Sequence, residues 1–179
     1  MGLGEPEKKM TLGETPPKKE IYDRPMPEWL SRLLTRHPSL SRHPHPMIAH
    51  FVIVFMLAAT FFNLLYLATG IRSLEIAAFH FLAGGVLSVP AAIASGFFTR
   101  WVNFPDLKGD GTIGRERRLS WILLIVSAAA LGMRWLEPEI LADLKGPGLI
   151  YLGLTLAVTP LVTIISFFGG MLTYPLEKE

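Results

Sequence analysis

The stretch Met47–Ile71, MIAHFVIVFMLAATFFNLLYLATGI, contains no Asp, Glu, Lys or Arg. A membrane-spanning helix needs about 20 predominantly apolar residues, and ~17 suffices at the short end, so this run is long enough to cross a bilayer. Working outward, Ile76–Thr99 and Gly148–Leu176 are also long and free of charge apart from histidine. Leu119–Met133 is shorter and reaches spanning length if Arg134 snorkels past Trp135 and Leu136 toward the interface. The pattern predicts an all-α integral membrane four-helix bundle with spans near 47–70, 75–98, 119–136 and 148–171.

Composition agrees. Of 179 residues, half are hydrophobic and 18% are charged, against about 25% charged in a typical soluble domain. The chain has no cysteine, which excludes disulfides and a cysteine-held iron–sulfur cluster within it. The charged beginning is too long and polar for a signal peptide, so the first span is expected to be retained. Residues 1–25 are rich in Gly, Pro, Glu and Lys and should form an extended or disordered tail. Residues 26–39 place Trp29, Leu30, Leu33 and Leu34 on one helical face and Arg32 and Arg36 on the other, which predicts a short interfacial amphipathic helix. Residues 40–179 then make the membrane domain.

Charge placement sets the expected orientation. Lys8, Lys9, Lys18, Lys19, Arg24, Arg32, Arg36 and Arg42 precede the first span, Arg100, Lys108, Arg115, Arg117 and Arg118 lie between spans two and three, and Lys178 follows span four. The opposite side has only Arg72, Arg134 and Lys145. The positive-inside rule therefore puts both termini in the cytoplasm, as in a multi-pass protein of a bacterial inner membrane. Trp29, Trp101, Trp121 and Tyr174 would mark one interface, and Tyr66, Trp135 and Tyr151 the other.

Two local motifs narrow the chemistry. Asp106–Arg117 resembles a calcium loop around Asp110-Gly111, but Lys108 and Arg117 stand at ligand positions, which argues against calcium and for a simple turn. The histidines are more informative, because an ionisable residue in a span is a functional candidate by default and imidazole is the usual axial ligand of haem b. His37, His43, His45 and His50 precede or open the first span, and His80 lies in the second. His50 and His80 cannot clamp one iron: at 1.5 Å per residue they fall roughly 20 Å apart along the membrane normal. Three readings follow. His50 and His80 could each serve a separate haem, with second ligands from His43, His45, Met171, Met133 or a neighbouring chain. His50 with Arg100, Arg117 or Arg118 could hold a quinone or lipid headgroup. Alternatively, His80 could bond Thr60 or Asn63, and His50 could bond Ser95 or Thr99, as glue between helices. Glu75 reads as a helix-end acid favouring the N-terminal dipole. Neither a nucleophile–base constellation nor a phosphate-binding glycine loop occurs, so an electron-transfer or structural subunit is expected rather than a stand-alone enzyme.

His45-Pro-Met-Ile-Ala-His50-Phe, Ser95-Gly-Phe-Phe-Thr-Arg-Trp101 and the closing Gly169-Gly-Met-Leu-Thr-Tyr-Pro-Leu-Glu177 together resemble a widespread family of bacterial four-span membrane proteins classed as a domain of unknown function. The similarity runs from about Arg42 to Glu179. It implies the four-span fold, assigns His45 and His50 to the family's first-span motif, and implies an electron-transfer setting, since the family domain occurs joined to Rieske, ferredoxin or rubredoxin-type modules. Many members also have a histidine at the start of span three, where this chain reads Arg115-Glu-Arg-Arg118.

The residues and the resemblance together predict a membrane subunit that anchors a redox complex and contributes a haem b- or quinone-associated site. His50, His80, His45, His43, Arg100, Arg117 and Arg118 are the candidate cofactor contacts, with His50 and His80 as haem-iron ligands. The expected partners are membrane lipids and other subunits, including a redox protein on the cytoplasmic side, and no nucleic acid. The alternative is a cofactor-free subunit that packs against larger membrane proteins.

Overall fold

A computed structural model describes residues 26–41, 43–103 and 111–173. Those residues form five α-helices and one short 3-10 turn, with no strand among them. Helix α1 spans Glu28–Arg36, and the turn Pro38–Ser41 leads to α2 (Pro44–Thr69). Helices α3 (Arg72–Asn103), α4 (Thr112–Leu136) and α5 (Pro147–Thr173) complete the chain. α2 to α5 are each long and apolar enough to cross a membrane. The all-α, four-span architecture expected from hydropathy is thus present. The tail 1–25, Arg42, residues 106–110 of the calcium-like loop and Tyr174 lie outside the described residues.

The four long helices make a ring in which α2 touches α3 and α5, and α4 touches α3 and α5. Short connections dictate this order. α2 ends at Gly70, whose φ of 71° closes the helix with its N–H on Tyr66 O, and α3 starts only two residues later. A left-handed C-terminal residue is where glycine has no Cβ penalty. α2 and α3 therefore run antiparallel at close range. Gly84 lies under the Phe55 ring and Gly85 under Met56, so small residues on one helix admit large ones from the other. Phe62 stacks on Phe81 at 5.3 Å across the same seam.

The interior is filled by Val52, Met56, Ala59, Leu82, Val89, Leu123, Ala130, Val158 and Val162. Ile140 and Leu141 of the α4–α5 connection fold back into it. The inward residues of α2 recur at 52, 56, 59 and 63, those of α3 at 75, 78, 82, 85 and 89, and those of α4 at 123, 127, 130 and 134. Each set follows the heptad-like spacing of a packed helix face.

α1 uses its apolar residues in two directions. Leu30 and Leu34 are buried against Val102, Phe98 and Met26 at the end of α3, whereas Trp29 and Leu33 point outward. The sequence reading had placed all four on one membrane-facing side; the α3 end claims two of them. Leu34→Ala removes the better-buried anchor of this contact. Amide hydrogen exchange across 28–36 should accelerate at least about tenfold, while the four spans keep their protection.

Candidate functional site

At the end of the bundle that carries α1, His45 stands in the first turn of α2 and points inward. Its place follows from register: positions 45, 52, 56, 59 and 63 fall on one face of α2. The ring Nδ1 lies 3.2 Å from Ala92 O and 3.1 Å from Ser95 Oγ on α3. A carbonyl only accepts, so Nδ1 carries a hydrogen. Ser95 Oγ donates its own hydrogen back to Ala92 O at 2.9 Å and so accepts from the ring. The other nitrogen, Nε2, lies 3.8 Å from Glu116 Oε1 on α4. That is close enough for an ion pair and too long for a hydrogen bond. Gly96 permits the approach, since a Cβ there would sit 3.1 Å from His45 Cε1. On α5, Gly169 faces Glu116, with a would-be Cβ 3.6 Å from Oε1. An imidazole, a hydroxyl and a carboxylate from three helices thus converge at one mouth of the bundle.

His50 does not join them. It lies five residues past His45, about 140° around the helix, and is exposed on the outer face with Nδ1 on Pro46 O at 2.5 Å. His80 is related in the same way to Glu75, and it too is exposed, with Nδ1 on Ile76 O at 2.7 Å and its ring edge-on to Phe79. The expected glue pairs therefore do not form. Ser95 is taken by His45 rather than His50, Asn63 donates to Tyr151 Oη at 3.2 Å, and Thr60 donates to Thr155 O at 2.8 Å. The depths match, but the faces are opposite.

The remaining candidates, Met133 apart, are spread around the α1 end. His43 is exposed, with Nδ1 on Ser39 O. The Arg117 guanidinium lies 5.9 Å from the centre of the Phe97 ring. Arg118 donates from Nε to Gly114 O at 3.3 Å. Arg100 is in the last turn of α3. Met171 is exposed and Met133 packs on the core. Among the described residues, no three His, Asp or Glu side chains come together as metal ligands.

The opposite end holds a group that the sequence reading missed. Glu75 is fully buried, and Arg134, 6% exposed, folds inward to meet it. Arg134 Nη2 donates to Glu75 Oε2 at 2.8 Å, and Nε pairs with Oε1. Arg72 adds a contact from Nη1 to Glu75 Oε2 at 2.7 Å and donates from Nη2 to Pro138 O at 2.6 Å. The Arg134 guanidinium also lies 5.3 Å from the centre of the Phe79 ring. Arg134 therefore does not snorkel outward; Glu75 stands in the first turn of α3, as expected, and is buried there. The guanidinium fork instead meets both oxygens of the carboxylate in a charge-assisted pair. Tyr151, expected at the interface, is instead buried and bonded to Asn63.

Comparison with known proteins adds the family. Residues 42–177 match the model of a family described as predicted membrane protein DUF2231. The chain belongs to DUF2231. No curated protein and no solved structure matches it. This DUF2231 chain is accordingly a membrane protein with four spans, as the resemblance in its His45–Phe51 motif had implied. Of the two histidines in that stretch, one faces into the bundle and one faces out.

Proposed function

We propose that this DUF2231 protein is an integral membrane subunit of a redox complex, anchoring it in a bacterial inner membrane with both termini in the cytoplasm. In this reading it offers histidine ligands for haem b at its contacts with neighbouring subunits. One observation carries the proposal: His50 and His80 both project from the outside of the bundle with Nδ1 hydrogen-bonded to a carbonyl of their own helix. A metal-ligating histidine characteristically donates its second ring N–H to such a carbonyl, which fixes the tautomer and leaves Nε2 to ligate. Such residues suit an iron shared with another chain, because each site on this chain supplies one imidazole. A polar ring facing lipid costs free energy, so a subunit that covers it is favoured. The orientation is supported by Arg32, Arg36, Arg100, Arg115, Arg117 and Arg118, all at the end that carries α1.

The test is a reduced-minus-oxidised absorption spectrum of protein purified with its native partners, run beside His50→Ala and His80→Ala. Bands of a low-spin b-type haem should appear in the native complex and fall by half or more in one variant. A featureless native spectrum would sink the haem assignment. A second reading, a cofactor-free packing subunit, is favoured by the filled core around Met56, Leu82 and Tyr151; it then becomes the function.

A further inference from the structure

We propose that the His45–Glu116 pair binds the ring headgroup of a membrane quinone or quinol. This deepens the redox-subunit reading and rests on it. Three features of the site point to that class of ligand.

The first is protonation. Nδ1 of His45 is committed to Ala92 O and Ser95 Oγ, which leaves Nε2, 3.8 Å from the Glu116 carboxylate, to meet a ligand. A quinone carbonyl can accept from Nε2–H of the imidazolium. A quinol hydroxyl can donate to the carboxylate. The same two groups can therefore hydrogen-bond a ring oxygen in either redox state; the two electrons and two protons that separate quinone from quinol are not exchanged by this pair. The pair is assigned binding, not electron transfer.

The second is charge. A lipid phosphate at this depth would meet the Glu116 carboxylate, and like charges at such range repel. A neutral ring does not. The guanidiniums of Arg117 and Arg118 are turned to Phe97 and to Gly114 O respectively.

The third is depth and access. His45 is twelve residues from Leu57, the middle of α2, which places it roughly 18 Å from the bilayer centre at 1.5 Å per residue. The hydrocarbon half-thickness is about 15 Å. The pair thus lies at the boundary where a polar ring on an isoprenoid tail presents its oxygens. The side chains keep 26% and 18% of their surface exposed, so neither is sealed in the core. In the other titratable cluster the Glu75 carboxylate is fully buried and already held by Arg134 and Arg72, and Arg72 also reaches Glu139.

The experiment is a titration of the full chain in nanodiscs with a short-tailed benzoquinone and a short-tailed naphthoquinone, read by quenching of tryptophan fluorescence. Trp121 lies five residues along α4 from Glu116. Saturable quenching at one ligand per chain is expected. Glu116→Gln and His45→Gln should each weaken it at least about tenfold, the effect of losing a charged hydrogen bond. Lys145→Gln, exposed at the other end of the bundle, should leave it unchanged. Gly96→Ala gives an independent variant, because its methyl displaces the His45 ring without changing either charge, and it should also weaken binding. Unsaturable quenching of the native chain overturns the proposal, as does unchanged affinity in folded Glu116→Gln and Gly96→Ala protein. Quinone binding without haem bands would leave this site standing and remove the His50 and His80 assignment; haem bands without quinone binding would do the reverse.

Discussion

Glu75→Gln is expected to destabilise the bundle by about 3–5 kcal/mol, the cost of leaving one partner of a buried ion pair unmatched. The carboxylate joins α3 to the end of α4 through Arg134 and is also held by Arg72. Once it is neutral, Arg134 stays in the interior with a hydrogen bond to the amide oxygen and the Phe79 ring beneath it, a cation–π contact worth about 0.5–2 kcal/mol, but without its countercharge. The reciprocal change should hurt less. Arg134→Met leaves Glu75 paired with Arg72, whose side chain is 39% exposed, so part of the compensation survives. The double variant Glu75→Met/Arg134→Met should recover much of the loss, since replacing a buried pair with apolar groups is often close to neutral. Unfolding in detergent, followed by circular dichroism or by exchange of the α4 amides, reads all three. If Glu75→Gln costs under about 1 kcal/mol, the pair is not what ties α4 to α3.

That pair also shows where the sequence was legible. The four spans stood out because the membrane imposes length and apolarity on any crossing helix. The inward faces could have been read as well. On α4, Glu116, Leu123, Ser127, Ala130 and Arg134 fall on one stripe, and on α3 Glu75 shares its stripe with Ala78 and Leu82. The same arithmetic separates His45, in line with Met56 and Asn63, from His50 on the outer face. Matching depth without matching face was what suggested hydrogen bonds from His50 to Ser95 and from His80 to Asn63. What no periodicity supplies is the pairing itself. Glu75 and Arg134 are 59 residues apart, and each alone reads as a charge at a helix end. The His45–Glu116 approach likewise depends on how closely α2 and α4 come together at the bundle mouth. Gly96 sets part of that distance by having no side chain.

Gly148→Ala should be among the most damaging single-methyl changes in the protein, at about 3 kcal/mol, the upper part of the range for overpacking. The obstacle is backbone rather than side chain. A Cβ at Gly148 would run into the carbonyl oxygen of Asp143 and lie 2.6 Å from that of Ile140. Neither can rotate away as a Met or Phe end can. Gly148 N–H also donates to Lys145 O at 3.1 Å, so the start of α5 and the preceding connection are one tightly wound unit. Relief requires that connection to shift, and the shift would lift Ile140 and Leu141 out of the core, where both are only 3% exposed. Tyr151, a turn further along α5 and fully buried, would move with the helix start and strain its bond to Asn63. Gly153→Ala and Gly132→Ala are the controls, since a Cβ at either meets nothing within 4 Å. Replacing a mid-helix glycine with alanine in open space should instead stabilise by about 0.5–1 kcal/mol. Melting temperatures of the three variants in one detergent should therefore move in opposite directions. If Gly148→Ala melts with Gly153→Ala, the connection yields without cost. Ile140 and Leu141 would then not be what fixes the entry of α5 into the bundle.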